Sequence, residues 1–241
     1  MLGSRRGPTD RGCNEGQHRI CCEWARDRRD RVIVTEKLDG SNVGAARIDG
    51  EIVAITRSGY VANTSPYEQH HMWGEWVAKN RARFLALLED GERACGEWLA
   101  LAHGTRYALP HEPLVVFDIR RGHNRATWDD VVDRCSAQGF TLPHLLHDGC
   151  SLSVADAMAA LGPHGHHGAT DEAEGAVWRV ERTNRHGVAA VDFLAKYVRA
   201  GKVDGRYLAE LNGGDAVWNW RDLDAYYDDT PQKWAVLGPL L

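Results

Sequence analysis

The chain contains no run approaching the roughly 18 consecutive apolar residues that a membrane-spanning helix needs, so an ordinary transmembrane segment is excluded. Its first residues, Met1-Leu2-Gly3-Ser4-Arg5-Arg6, lead into polar sequence without the apolar core of a secretory signal, and a cytoplasmic location is expected. Cysteine is sparse. Six thiols (Cys13, Cys21, Cys22, Cys95, Cys135 and Cys150) among 241 residues are too few for a disulfide scaffold, and they read as reduced. Cys13, His18, Cys21 and Cys22 crowd together, but their spacing matches none of the paired-ligand patterns of zinc sites. His164, His166 and His167 lie in a Gly- and Pro-rich stretch that reads as a loop. Lysine is scarcer still: of 29 basic residues only Lys37, Lys79, Lys196, Lys202 and Lys233 are lysines. Arginine keeps its proton near neutral pH whereas lysine can lose it, so an ionisable amine has few places to be.

What is present describes a folded domain. Hydrophobic residues make up 43% and charged residues 26%, which excludes collagen, coiled coil and disorder. A net charge of −5 argues against coating nucleic acid through bulk electrostatics. The charge is uneven, however: residues 1–31 hold eight arginines against five acids, a density suited either to phosphate contacts or to a solvated face.

Short β-branched runs predict strands at 31–36, 43–48 and 51–56, the last two joined by Asp49-Gly50, the strongest hairpin signal in the chain. A 3–4 residue apolar period predicts one helix over 67–88, its aromatics in the core. Further strands are expected at 96–100, 114–119, 174–180 and 193–199. Thr127 with Asp130, and Ser153 with Asp156, open helices as capping pairs. The pattern is mixed α+β with mostly antiparallel pairing, without repeats or an evident interdomain linker.

The first cluster with chemistry in it is Glu36-Lys37-Leu38-Asp39-Gly40-Ser41-Asn42, a lysine at a strand end in a tight turn beside two acids. A lysine so displayed acts as a nucleophile once it is neutral, although the four-residue pattern alone reads by default as a surface turn. An ordered set follows it: Thr56-Arg57-Ser58-Gly59, Gly96-Glu97, Val116-Phe117-Asp118-Ile119, Glu174-Gly175-Ala176-Val177-Trp178-Arg179, and Ala195-Lys196-Tyr197-Val198-Arg199.

In this order the elements resemble the covalent nucleotidyltransferase superfamily of polynucleotide ligases and capping enzymes, most closely its RNA ligase 2 branch. The resemblance covers residues 36 to 199. It implies the nucleotidyltransferase fold of the DNA/RNA ligase adenylation domain, antiparallel sheets flanked by helices around an ATP pocket. It implies ATP as cosubstrate, Mg2+ or Mn2+ as the metal, and covalent AMP on Lys37. Lys196 would assist as a cation, and Glu174 would hold the metal directly or through water. Glu36, Asn42, Arg57, Glu97, Phe117 and Lys196 would contact the nucleotide, Glu97 at the ribose and Phe117 stacked on adenine. Asp39, as buttress or near the metal, and Arg199 complete the set. The function implied is an ATP-dependent RNA ligase that transfers AMP to a 5′-phosphate RNA end and joins it to a 3′-hydroxyl, in RNA repair. A DNA ligase, a GTP-using capping enzyme, or a non-catalytic RNA-end binding module are the alternatives; Asn42, where DNA ligases commonly have arginine, tilts toward RNA.

Each residue type also fits the chemistry. Phosphoryl transfer runs chiefly on positioning and electrostatic stabilisation, so cations belong where negative charge grows. Hard cations want carboxylate oxygens, and a planar guanidinium suits phosphate. The chain departs from the family pattern in its last motif, where two lysines one residue apart are common but Lys196 stands with Arg199. A single domain over 1–241 is expected, with 1–30 as an arginine-rich segment and 200–241 as a short tail. No appended OB-fold or RNA-ligase carboxyl-terminal domain is expected, and RNA grip would then come from the arginines or a repair partner protein. The tail's aromatics (Tyr207, Trp218, Trp220, Tyr226, Tyr227 and Trp234) stand beside many acids and are expected to cover the core rather than stack on bases.

Overall fold

A strand that alternates apolar residues on one face must pair and bury that face, and the chain does this twice. The computed structural model describes residues 1–3 and 12–221. Its elements run in the order α1 (Glu15–Cys22), β1 (Asp30–Lys37), β2 (Ser41–Ile48), β3 (Glu51–Thr56), α2 (Glu68–Lys79), α3 (Arg81–Leu87), β4 (Glu92–Trp98) and β5 (Leu114–Arg121). They continue with β6 (Asn124–Arg125), α4 (Trp128–Ala137), β7 (Leu145–Gly149), α5 (Val154–Leu161), β8 (Gly175–Thr183), β9 (Ala189–Val198) and α6 (Ala209–Asn212). The strands form two antiparallel sheets, one ordered β7-β1-β8-β9 and the other β3-β2-β4-β5-β6.

The chain passes from the first sheet to the second at residues 38–40. This crossing demands a glycine: a Cβ on Gly40 would lie 2.5 Å from the Trp98 carbonyl oxygen. The expected hairpin forms as drawn, with Asp49 at φ 50° and Gly50 at φ 80°, the two left-handed residues of a turn that matches strand twist. Each sheet has its own core. Val32, Val34, Trp178 and Val180 pack with Leu2, Ile20 and Cys21 behind the first sheet, together with Ala157 of α5. Trp73, Trp76, Phe84, Trp98, Val116 and Phe140 build the larger core behind the second.

Two expectations about elements are corrected. The single helix over 67–88 is two helices, because Asn80 leaves helical geometry (φ −100°, ψ 14°), its side-chain amide donating to the Trp76 carbonyl while Arg83 donates to its oxygen. The strand at 96–100 begins at Glu92 and ends at Trp98. The amino-terminal segment is ordered structure where described: a reciprocal Asn14–Gln17 cap opens α1. Its arginines Arg19, Arg26, Arg29 and Arg31 bond to Glu15, Asp30, Asp27, Asp129 and Asp148. Those four guanidiniums are paired with protein acids. Arg5, Arg6 and Arg11 lie outside the described residues.

After β9 the chain returns over the second sheet, where Trp218 and Trp220 pack against its core as expected, whereas Tyr207 joins no core cluster and its ring meets Arg106 and Arg206 instead. Tyr226, Tyr227 and Trp234 lie outside the described residues. All six cysteines are free. Among the described residues no helix is long and apolar enough to cross a membrane.

Candidate active site

Strand alternation decides what faces the space between the sheets. In the first sheet Thr35 pairs with Val177 and Val177 with Lys196, while Lys37 pairs with Gly175 and Gly175 with Val198. Residues two apart share a face, so Lys37 and Lys196 look the same way from β1 and β9. Val32, Val34 and Trp178 take the opposite face and make the core. Gly175 keeps β8 close, since a Cβ there would strike the Tyr197 carbonyl. In the second sheet Asn42 pairs with Glu97.

A bulge sets the next aromatic. Cys95 stands opposite Asp118 and Gly96 opposite Val116, which leaves Phe117 as the extra residue of β5. A bulge re-aims the strand locally. Phe117 is accordingly absent from the core that takes its neighbours Val116 and Ile119, and it faces a cavity instead.

Lys37 sits at the meeting point of the sheets. Its Nζ donates to Glu174 Oε2 at 2.6 Å and to the Leu38 carbonyl at 3.3 Å. Burial works against the ammonium, but Glu174, Glu97 and Asp39 outweigh it, so the amine is held above its ordinary value and carries its proton in this state. Burial pushes the Glu97 carboxyl up to about 7, against the pull of Lys37. Burial likewise raises Glu174. Glu97 also accepts the Gly40 N–H at 3.0 Å, tying the lysine turn to β4.

Two cavities meet here, and Lys37, Asn42, Arg57, Glu97 and Lys196 line both. One, of about 470 Å³, has apolar walls from Phe117, Trp128, Pro143, Val177 and Leu194, with Glu36, Arg125 and Arg179 also on its lining. The other, of about 780 Å³, is polar and includes Asp39, Ser41, Ser65, His70, His103 and Glu174. An apolar slot and a polar chamber joined at one amine can hold a flat ring on one side and charged groups on the other.

The remaining expected residues fall differently. Glu36 takes the face opposite Lys37: it is 3% exposed and its carboxylate accepts the His166 N–H at 2.8 Å, although it borders the apolar cavity. Asp39 accepts from the Gly104 N–H at 2.9 Å and pairs with Lys202 at 2.7 Å, so it braces the turn. The Arg199 guanidinium bonds Glu172 at 2.9 Å and the Gly162 carbonyl, and it lines neither cavity; its backbone N–H donates to the Glu174 carbonyl at 2.9 Å. Arg57 is exposed at the junction.

Ser41, Gln69, His103 and Lys202 also stand at the site, with no role expected of them from the sequence. The Ser41 hydroxyl donates to Gln69 at 2.8 Å and lies 3.3 Å from His103 Nε2. Ser41 stood inside the quoted motif; the others come from distant segments and left no local signal.

Among the described residues no group of three or more His, Cys, Asp and Glu is arranged to hold a metal. A divalent ion at Glu174 would therefore draw one or two protein oxygens and complete its shell from water and substrate, as Mg2+ commonly does.

Two antiparallel sheets thus hold a lysine where an apolar and a polar cavity meet. The sequence profile of the family described as RNA ligase matches residues 30–198, from the first residue of β1 to the last of β9. The chain belongs to the RNA ligase family. An uncharacterized protein of Methanocaldococcus jannaschii is 31% identical over 97 residues, 39% of this chain and 20% of that one. The Naegleria gruberi RNA ligase with PPi is 21% identical with a TM-score of 0.48, covering 71% of this chain and 50% of that one. An archaeal ATP-dependent RNA ligase is 24% identical with a TM-score of 0.43, covering 70% and 43%. The chain thus spans half or less of the length of these relatives.

Proposed function

We propose that this chain is the adenylyl-transferring core of an ATP-dependent RNA ligase. The observation that carries the reading is the position of Lys37, its amine against Glu174 where the apolar and polar cavities join. Adenine would lie in the apolar cavity against Phe117, with Glu97 and Asn42 at the ribose and Arg57 at the phosphates. A mutant of the Naegleria gruberi RNA ligase has been described with ATP and Mn.

Lys37 must first lose the proton that Glu174, Glu97 and Asp39 favour. Lys196, facing the same junction, adds positive charge that opposes the ammonium and favours phosphate. A divalent cation held by Glu174, directly or through water, would supply further positive charge for the phosphate oxygens. The free amine attacks the α-phosphorus of ATP, a P–N bond forms as the nitrogen gives up one further proton to solvent, the bond to pyrophosphate breaks, and pyrophosphate leaves with the electron pair. A 5′-phosphate oxygen of RNA then attacks the same phosphorus; the P–N bond breaks and Lys37 recovers its electron pair and a proton. A 3′-hydroxyl finally attacks the RNA 5′-phosphorus and gives its proton to solvent; the anhydride bond breaks, AMP leaves with the electron pair, and the strand is sealed.

Incubation with Mg2+ or Mn2+ and α-phosphate-labelled ATP or GTP tests the first step. Label from ATP on the denatured protein, absent in Lys37→Ala and in Lys37→Arg, is expected, since a guanidinium does not give up its proton. Label from GTP alone would instead indicate capping, and none from either would leave a binding module.

A further inference from the structure

Among the exposed large apolar side chains of the described residues, two stand on the wall of the polar chamber: Tyr60, 68% exposed, and Tyr67, 49% exposed. Neither belongs to a core cluster. Their backbones are nonetheless fixed. The Thr56 N–H donates to the Tyr60 carbonyl at 2.9 Å, the Gly59 N–H returns to Thr56 at 2.9 Å, and Gly59 takes φ 85°, which a side chain would resist. Val61 bridges back to Ile55 of β3. Tyr67 is held by its N–H to Ser65 Oγ at 3.3 Å and by edge contact of its ring with His70 at 5.7 Å, while Ser65 Oγ and His70 Nδ1 stand 2.6 Å apart.

Aromatic rings left in water on a fixed backbone, beside an exposed arginine, make a platform whose backbone ordering cost is already met. Such rings accept any base, because every base has a π face, and Arg57 at the junction suits the phosphate attached to it. Neither tyrosine lines the apolar cavity around Phe117. We propose that Tyr60 and Tyr67 stack the terminal base of the 5′-phosphorylated RNA end, holding that phosphate over Lys37 for the second step. This rests on the proposed function and names how its second substrate is gripped.

The test compares the full chain with Tyr60→Ala, Tyr67→Ala and the corresponding Phe variants. Two RNA oligonucleotides are used, one with an ordinary 5′-phosphorylated nucleotide and one whose 5′-terminal residue keeps phosphate and ribose but lacks the base. Label on Lys37 from ATP is expected to form at the native rate in every variant. Transfer of AMP to the ordinary end is expected to fall about tenfold in the Ala variants, in the range of one lost base–aromatic stack, and to recover in the Phe variants. With the base-less end, native protein and Ala variants should transfer at rates within about twofold of each other. Undiminished transfer in the Ala variants overturns the inference, as does an equal loss on the base-less end or a loss of the ATP label. Absence of label on the native chain would overturn the reading of the site itself, and this inference with it.

Discussion

Glu36 and Lys37 are chain neighbours that alternation sends to opposite faces, one toward the His166 loop and one toward the junction of the cavities. Burial pushes the Glu36 carboxyl from 4.5 to about 7, opposed only in part by the His166 N–H. The folded protein therefore binds this proton more tightly than the unfolded chain does. The associated stability is present below about pH 4.5 and is lost as pH rises to about 7, a term of about 3 kcal/mol at most. Glu36→Gln keeps an acceptor for His166 and removes the titration. Thermal melts of the native chain should fall between pH 5 and pH 8 by several degrees more than those of Glu36→Gln; parallel curves would refute this origin of the pH dependence. At this scale Lys37, Glu97 and Glu174 were legible because their motifs are local. The partnership of Asp39 with Lys202 was not, since it joins residues 163 positions apart in the chain.

Elements were legible where a local device marks them. The Asp49-Gly50 turn and the Thr127 and Ser153 caps all stand where expected. The Asn14–Gln17 cap was equally local but lay in a stretch dominated by its arginines, and β7, five residues with a histidine and an aspartate, shows no apolar alternation. The helix over 67–88 illustrates the converse: the apolar period continues through Asn80, but the backbone does not. The crossing at residues 38–40 gives the sharpest test at this scale. Gly40→Ala would bring a Cβ to 2.5 Å from the Trp98 carbonyl oxygen and 3.0 Å from Leu99 Cδ2, and backbone cannot yield as a side-chain end can. Urea denaturation should show a loss of about 1–3 kcal/mol, the usual cost of overpacking, and self-adenylation should fall further than that loss explains because the lysine turn moves with it. Native stability in this variant would mean that the two sheets have room to separate at the crossing.

For the molecule as a whole, two sheets with separate cores are joined through the turn that carries Lys37, and the nucleotide is proposed to fill the space between them. A ligand that binds only the folded arrangement stabilises it by mass action, by about 2.7 kcal/mol at a hundredfold excess over its dissociation constant. The Lys37→Ala protein, unable to turn over, should melt several degrees higher with saturating ATP and divalent cation, and unchanged with GTP. An equal rise with both nucleotides would show that the apolar cavity does not select adenine.

The sequence by itself determined the family elements, the lysine and carboxylates they contain, the hairpin and the mixed α+β class, because each is written in residues close together along the chain. Only the tertiary structure decided which of those residues share a space. Pairing register turned Lys37 and Lys196 to one face and Glu36 to the other, and a single extra residue in β5 took Phe117 out of the core. Packing gave the Arg199 guanidinium to Glu172 and Gly162 and brought Lys202 to Asp39. Local patterning fixes what a segment prefers, whereas facing, register and long-range ion pairs arise only when distant strands meet.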